Sequence, residues 1–307
     1  MIRKQIFLIL IWVLFLFAQY DRPGSTSAQF LKIDISARGA GMAGAYNAAV
    51  EGAEGLVYNP AVIANLEKVD AVFNHNVWFA GINHDYMAIA KNFGMLGAFG
   101  LSVTTLYTPE MKVRTPLQPD GTGETFFAGN VRAGLSYARR LTDHVSFGGT
   151  LNYIYLSLYS DFSERGYTID ISTDYNTGIR DWRLAFAILN FGQSLTFVNE
   201  EYPMPTLFTI GSSVNAIERE NLKLKLSGTL KKPNDGAPLG QGGAELNLSD
   251  ILFLRAGTNF GHQVARFAFG GGLAYTFASG MGFRFDYSYS DFNDLGGAHR
   301  YALGIGF

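Results

Sequence analysis

The chain has 307 residues, of which 48% are hydrophobic and only 16% charged, and its formal net charge is −2. A soluble domain averages about 25% charged residues; this deficit, with 36 glycines and 14% aromatics, fits strands that face lipid on one side and a packed or wet lumen on the other. The charge balance offers no basic face for nucleic acid, and the absence of cysteine excludes disulfides, thiol catalysis, cysteine-ligated metals and a lipid-modified N-terminal cysteine.

Residues 1–28 read as an export signal. Arg3 and Lys4 supply a positive start, and 6–17 is an unbroken apolar run too short for a comfortable membrane span. Thr26, Ser27 and Ala28 put small residues where a signal peptidase cuts, so cleavage is expected after Ala28. No later apolar stretch approaches the length of a spanning helix. A membrane protein without such helices must be a closed barrel, because only closure satisfies every backbone group in lipid.

Residues 29–69 are rich in glycine and alanine, and 37–50 and 57–66 read as short helical or coiled pieces. The segment is too polar and interrupted to span a membrane, but long enough to fold into a barrel lumen, or across its periplasmic mouth, as a plug. Three residues are expected to position it. Asn59-Pro60 should form a tight turn, because the residue before proline avoids the helical region and Asn bonds its own backbone. Pro60 would then open a short helix over 61–66, where its missing N–H costs nothing. Arg38 should reach a lumenal carboxylate, with Glu245 and Asp286 as candidates, because an unpaired charge there is costly to dehydrate. The run Gly39-Ala40-Gly41-Met42-Ala43-Gly44 matches a dinucleotide fingerprint, but that chemistry needs a βαβ unit and a parallel sheet. Close packing of small residues in a lumen is the better account, and no cofactor is expected.

From residue 70 onward the dominant hydrophobic period is two. Tyr301, Leu303, Ile305 and Phe307 alternate with Arg300, Ala302, Gly304 and Gly306, and Phe283, Phe285, Tyr287 and Tyr289 alternate with Arg284, Asp286, Ser288 and Ser290. The segments 70–79, 84–93, 96–107, 130–141, 143–157, 167–175, 181–190, 205–217, 221–231, 239–249, 251–260, 265–277, 281–291 and 298–307 make fourteen strands. Most have about the 9–11 residues of a tilted spanning strand. An even count lets the sheet close antiparallel. Turns at 94–95, 142, 250 and 278–280 are tight, whereas 108–129, 158–166 and 191–203 are long. Outer-membrane barrels sort their loops in this way, short on the periplasmic side and long outside. The expected fold is therefore all-β: a fourteen-stranded antiparallel transmembrane β-barrel over 70–307 with an N-terminal lumenal plug, in contact with outer-membrane lipid.

Arg132, Lys223, Lys225, Glu245, Arg255, Arg284 and Asp286 fall on the inward face of their strands. Charges inside barrels are normally paired or solvated, so a lumenal ion-pair network joining plug and wall is expected. The five histidines, His75, His84, His144, His262 and His299, form no close ligand pair, which gives zinc no framework. No G-x-S-x-G elbow occurs, so an enzyme is not expected. In the longest loop, Asp120 and Glu124 are two carboxylates without the further ligands calcium wants, and no metal is expected.

The segments Phe30-Leu31-Lys32-Ile33, Ser36-Ala37-Arg38-Gly39-Ala40-Gly41-Met42-Ala43-Gly44-Ala45 and Tyr58-Asn59-Pro60-Ala61 resemble the N-terminal signature of PorV/PorQ family proteins. Trp78-Phe79-Ala80-Gly81, Asp85-Tyr86, 119–126 and Leu135-Ser136-Tyr137-Ala138-Arg139-Arg140-Leu141 extend the resemblance through the first half of the chain. It departs at Val62-Ile63, where a Gly-Leu pair is usual, and at Glu51-Gly52-Ala53-Glu54, which replaces an Asp-rich stretch. The family resembles FadL-type barrels, with fourteen strands and an N-terminal segment in the lumen. The resemblance implies a non-enzymatic role in protein export, in the manner of the PorV subunit of type IX secretion, with a secretion translocon or its cargo as partner. The alternative it carries is a FadL-like transporter or binder of hydrophobic small molecules.

Overall fold

The structure, a computed structural model, describes residues 22–159, 162–197, 199–261 and 265–307. The apolar run of the expected export signal and His262 lie outside the described residues. Among the described residues, eighteen strands follow a short N-terminal region: β1 (Val69–Val77), β2 (Asn83–Asn92), β3 (Ala98–Tyr107), β4 (Met111–Lys112), β5 (Thr125–Phe126), β6 (Gly129–Arg140), β7 (Val145–Tyr159), β8 (Phe162–Asn176), β9 (Arg183–Gly192), β10 (Leu195–Phe197), β11 (Glu200–Tyr202), β12 (Leu207–Arg219), β13 (Leu222–Pro233), β14 (Leu239–Leu248), β15 (Leu252–Phe260), β16 (Phe267–Thr276), β17 (Gly282–Asp291) and β18 (Gly297–Gly306).

Fourteen of these form one closed antiparallel barrel, each paired with its neighbours in the chain. The barrel shuts where β1 pairs with β18, from Asp70 opposite Gly306 to Val77 opposite His299. The alternation in the sequence is the cause of the wall. On β2, Met87 and Ile89 are exposed outward while Tyr86, Ala88 and Ala90 are buried inward, so lipid meets apolar side chains and the backbone bonds are all made within the sheet. Among the described residues no helix is long and apolar enough to cross a membrane.

Turns at the end bearing Val69 and Phe307 are short. Ser249 and Asp250, both with a φ of 56°, make the left-handed turn between β14 and β15. The opposite end carries the longer excursions, including the small hairpins β4–β5 and β10–β11. By the loop rule of outer-membrane barrels, that end is the outer one.

Two expectations change. Residues 158–166 are not a long loop, because β7 and β8 continue as a tall hairpin to Tyr159 and from Phe162. The polar run there reads as loop, but a ribbon standing above the membrane meets water on both faces and needs no apolar alternation. Residues 37–50 hold a single helical turn, α1 (Ala37–Gly41), followed by turns. Glycine at 39, 41 and 44 weakens a helix, and contact with the wall decides the local path instead. A second short helix, α2 (Gly55–Tyr58), precedes a 3-10 turn over Pro60–Asn65.

The N-terminal region runs down the lumen. Thr26, Ser27 and Ala28 are buried against the outer excursions, and Asn65 and Leu66 emerge beside Asn92 at the periplasmic end. The core is therefore plug packed on wall. One cluster gathers Met42, Tyr46, Leu56 and Ile63 with Val72 and Tyr86. The other, under the outer excursions, holds Phe30, Ile154, Leu156, Leu195 and Met204.

Candidate functional site: the plug and its lumen

The Gly-rich run of the plug touches the wall backbone directly. A methyl added at Gly41 would stand 3.1 Å from the Gly270 Cα, and one added at Gly243 would stand 2.7 Å from the Met42 Cβ. Gly44 has a φ of 80°, a conformation side chains rarely adopt. The fingerprint-like spacing thus serves close approach of two backbones.

Ion pairs hold the same region. Arg38 on α1 grips Glu245 of β14 with two bonds of 2.7 Å, Nε to Oε2 and Nη2 to Oε1, and its Nη1 lies 3.1 Å from Glu51 Oε2. Arg255 on β15 donates to the same Glu245 at 2.6 Å and to Asp286 of β17 at 2.6 Å. Glu245 therefore sits between two guanidiniums, and Asp286 serves Arg255 rather than Arg38. Lys225 reaches Glu51 at 2.9 Å and Asp181 at 3.5 Å. Arg284 bonds Asp70 at 2.6 Å.

The seven wall charges do not make one network. Arg132 stands apart across the lumen, held by Asn152 and Asp170. Asp170 also accepts the amide of Asn190 at 2.6 Å, where β9 bulges and Asn190 takes a φ of 58°. Lys223 is a periplasmic group, pairing with Asp250 in the turn at 3.1 Å. It is the second residue of β13, so its ammonium lies at the periplasmic mouth, lining the same chamber as Lys225 and Glu245. Asn59 takes an extended φ of −156° before Pro60, which opens the 3-10 turn, and its amide lies 3.4 Å from the carbonyls of Asn47 and Thr173.

Several residues that matter were not singled out from sequence. Asp170 was legible, since it lies on the inward face of its strand by period two. Glu51 and Glu54 were not, because the plug has no periodicity. Glu54 accepts from Tyr46 at 2.7 Å, Ser36 at 2.8 Å and Asn74 at 3.3 Å. Asp235, in the excursion between β13 and β14, binds the start of the plug at Gln29, 3.0 Å, and Lys32, 2.8 Å, and also Thr26 of the preceding expected signal segment, 2.6 Å. Burial opposes its ionisation, but the bonds from Gln29, Lys32 and Thr26 outweigh it and hold the carboxyl below its ordinary range.

Two spaces flank α1. On the outer side is a vestibule of about 620 Å³, with Ala40 and Ala43 in its floor and Ile33, Trp78, Phe267 and Phe292 among its walls. On the periplasmic side a chamber of about 320 Å³ is lined by charges, including Arg38, Glu51, Lys225 and Glu245. Arg38 and its helical turn stand between them. The arrangement carries no cluster of three or more metal-ligating side chains among the described residues.

No family model matches the chain, and no curated protein matches it in sequence. Solved structures do match its fold. The toluene transporter TodX of Pseudomonas putida superposes with a TM-score of 0.58 at 11% identity, over 94% of this chain and 98% of its own. The Ralstonia pickettii toluene transporter TbuX gives 0.58 at 12% identity, over 88% and 96%. A Pseudomonas aeruginosa FadL homologue gives 0.57 at 11%, over 90% and 98%. The chain has the FadL-like fourteen-strand fold, and its apolar outer wall and polar, plugged lumen make it an outer-membrane barrel.

Proposed function

We propose that the protein is a non-catalytic, plugged passage for hydrophobic small molecules across the outer membrane. The observation that carries this reading is the outer vestibule of about 620 Å³, lined by Ala40 and Ala43 of the plug, with the charged chamber that Arg38 lines on the periplasmic side. A cavity of this size fits a small organic molecule, and its floor is held by ion pairs that a movement of α1 would break one by one. The solved neighbours, described as toluene and monoaromatic hydrocarbon channels, support the same reading. The export role expected from the sequence resemblance ranks behind it, because these neighbours are channels for small hydrophobic molecules.

Uptake of a monoaromatic into vesicles with a lipopolysaccharide outer leaflet, which resists hydrophobic solutes, tests the proposal. Vesicles carrying the barrel should equilibrate faster than empty ones. Equal rates, with the barrel shown to be folded by its heat-modified mobility, would remove the reading.

A further inference from the structure

Beside the outer vestibule lies a second, smaller pocket between the plug and the wall. It encloses about 40 Å³ that water can enter, space for roughly three water molecules. Its lining mixes apolar Ile33 and Leu207 with Asn47 and His84, and its cations are already paired, Arg132 with Asp170, Lys231 with Asp34 and Lys32 with Asp235.

The side chains of Asn47 and His84 have no hydrogen-bond partner in the protein. Asn47 and His84 are 2% and 0% exposed, and both amide atoms of Asn47 and both ring nitrogens of His84 lack a hydrogen bond. Asn76 faces His84 across the β1–β2 register and is equally buried, with both amide atoms unpaired. Buried groups of this kind are nearly always satisfied, so two such side chains lining one cavity point to something the cavity takes.

We propose that this pocket receives the hydroxyl end of an amphipathic alcohol or phenol. The inference rests on the passage reading above and narrows its substrate class. An amide offers both donors and acceptors, and a neutral imidazole offers one of each. A hydroxyl answers both kinds. A carboxylate only accepts, and an ammonium only donates, so either leaves half the set unmet. A hydrocarbon meets none of it. The pocket and the vestibule share Lys32, Ile33, Asp34 and Lys231 as lining. A head in the pocket would leave the apolar body beside Ile33, on the side of the larger space. Water has the same hydrogen-bonding chemistry and is the competing source.

Binding of 4-ethylphenol and of ethylbenzene to the barrel in nanodiscs, corrected for empty nanodiscs, tests the inference. The wild-type barrel should bind the phenol about tenfold more tightly, the scale of one or two buried hydrogen bonds. His84→Phe and Asn47→Leu should bring the two ligands within about twofold of each other, one buried hydrogen bond being the difference lost. Crystals soaked in 4-bromophenol, which need no variant, should place bromine in the vestibule with the ring oxygen toward His84. Equal affinities in the wild type would mean that the pocket holds water only and would overturn the inference while leaving the passage. A phenol preference kept by both folded variants would overturn it as well. Binding of neither ligand would remove the passage reading itself.

Discussion

Gly257 on β15 and Met42 in the plug leave no space between them: a methyl built on Gly257 would collide with the Met42 carbonyl group and stand 2.7 Å from the amide nitrogen of Ala43. The obstacle is backbone on both sides, so neither rotamer change nor local repacking relieves it. Gly257→Val should push the Met42 turn off the wall at a cost of about 1–3 kcal/mol, as overpacking does. Single-channel conductance in planar bilayers should rise. A conductance equal to wild type would show that this contact does not seal the lumen.

Arg38→Ala removes the two-pronged grip on Glu245. Breaking a buried pair costs about 3–5 kcal/mol where the remaining charge is left alone. Glu245 keeps Arg255 at 2.6 Å, and Glu51 is partly exposed, so about 2 kcal/mol is expected. The temperature at which the barrel loses its fast electrophoretic mobility should change little, while protease access to residues 33–58 should increase. A plug as resistant as before would show that Arg38 does not hold it.

Asp170→Ala should be far more damaging to the barrel than Arg38→Ala. It leaves Arg132 buried with Asn152 as its remaining bonded partner, and it frees the amide of Asn190 at the β9 bulge. Removal of one partner of a buried pair costs about 3–5 kcal/mol, here borne by the wall. The yield of heat-modifiable barrel should fall several-fold. Asp170→Asn, which retains acceptor capacity, should lie between the two, and an undiminished yield for Asp170→Ala would refute the assignment.

The outer clamp at Asp235 sets a pH dependence. Its carboxyl is held below the ordinary range in the folded state, so it contributes stability that is fully present above its unfolded value, the ordinary carboxylate pKa, and is lost as pH falls through the lower folded value. Protection of residues 29–32 from proteolysis should be equal at pH 7 and pH 5 and should fail only in stronger acid. Asp235→Asn should abolish that acid step. Loss of protection between pH 7 and pH 5 would mean that another group controls this segment.

The alternation of apolar and small or polar residues was enough to reveal a fourteen-stranded barrel and its lipid face. A strand has only two faces, and a period of two states which is which. Tyr301, Leu303 and Ile305 could be assigned outward without any knowledge of their neighbours. Loop lengths gave the barrel its polarity for the same local reason, except at 158–166, where a ribbon in water has no pattern to read. The pairing across the lumen was decided only in three dimensions. Arg38 and Glu245 are separated by 207 positions, and both Glu245 and Asp286 point inward. The choice between them follows from where closure and strand stagger set β14 and β17 around α1. Arg132 and Arg255 look alike along the chain, yet one supports the β9 bulge and the other the plug. The plug itself carries no period, because its path is set by glycines that let two backbones meet. The vestibule and the buried Asn47 and His84 exist only as consequences of that fit.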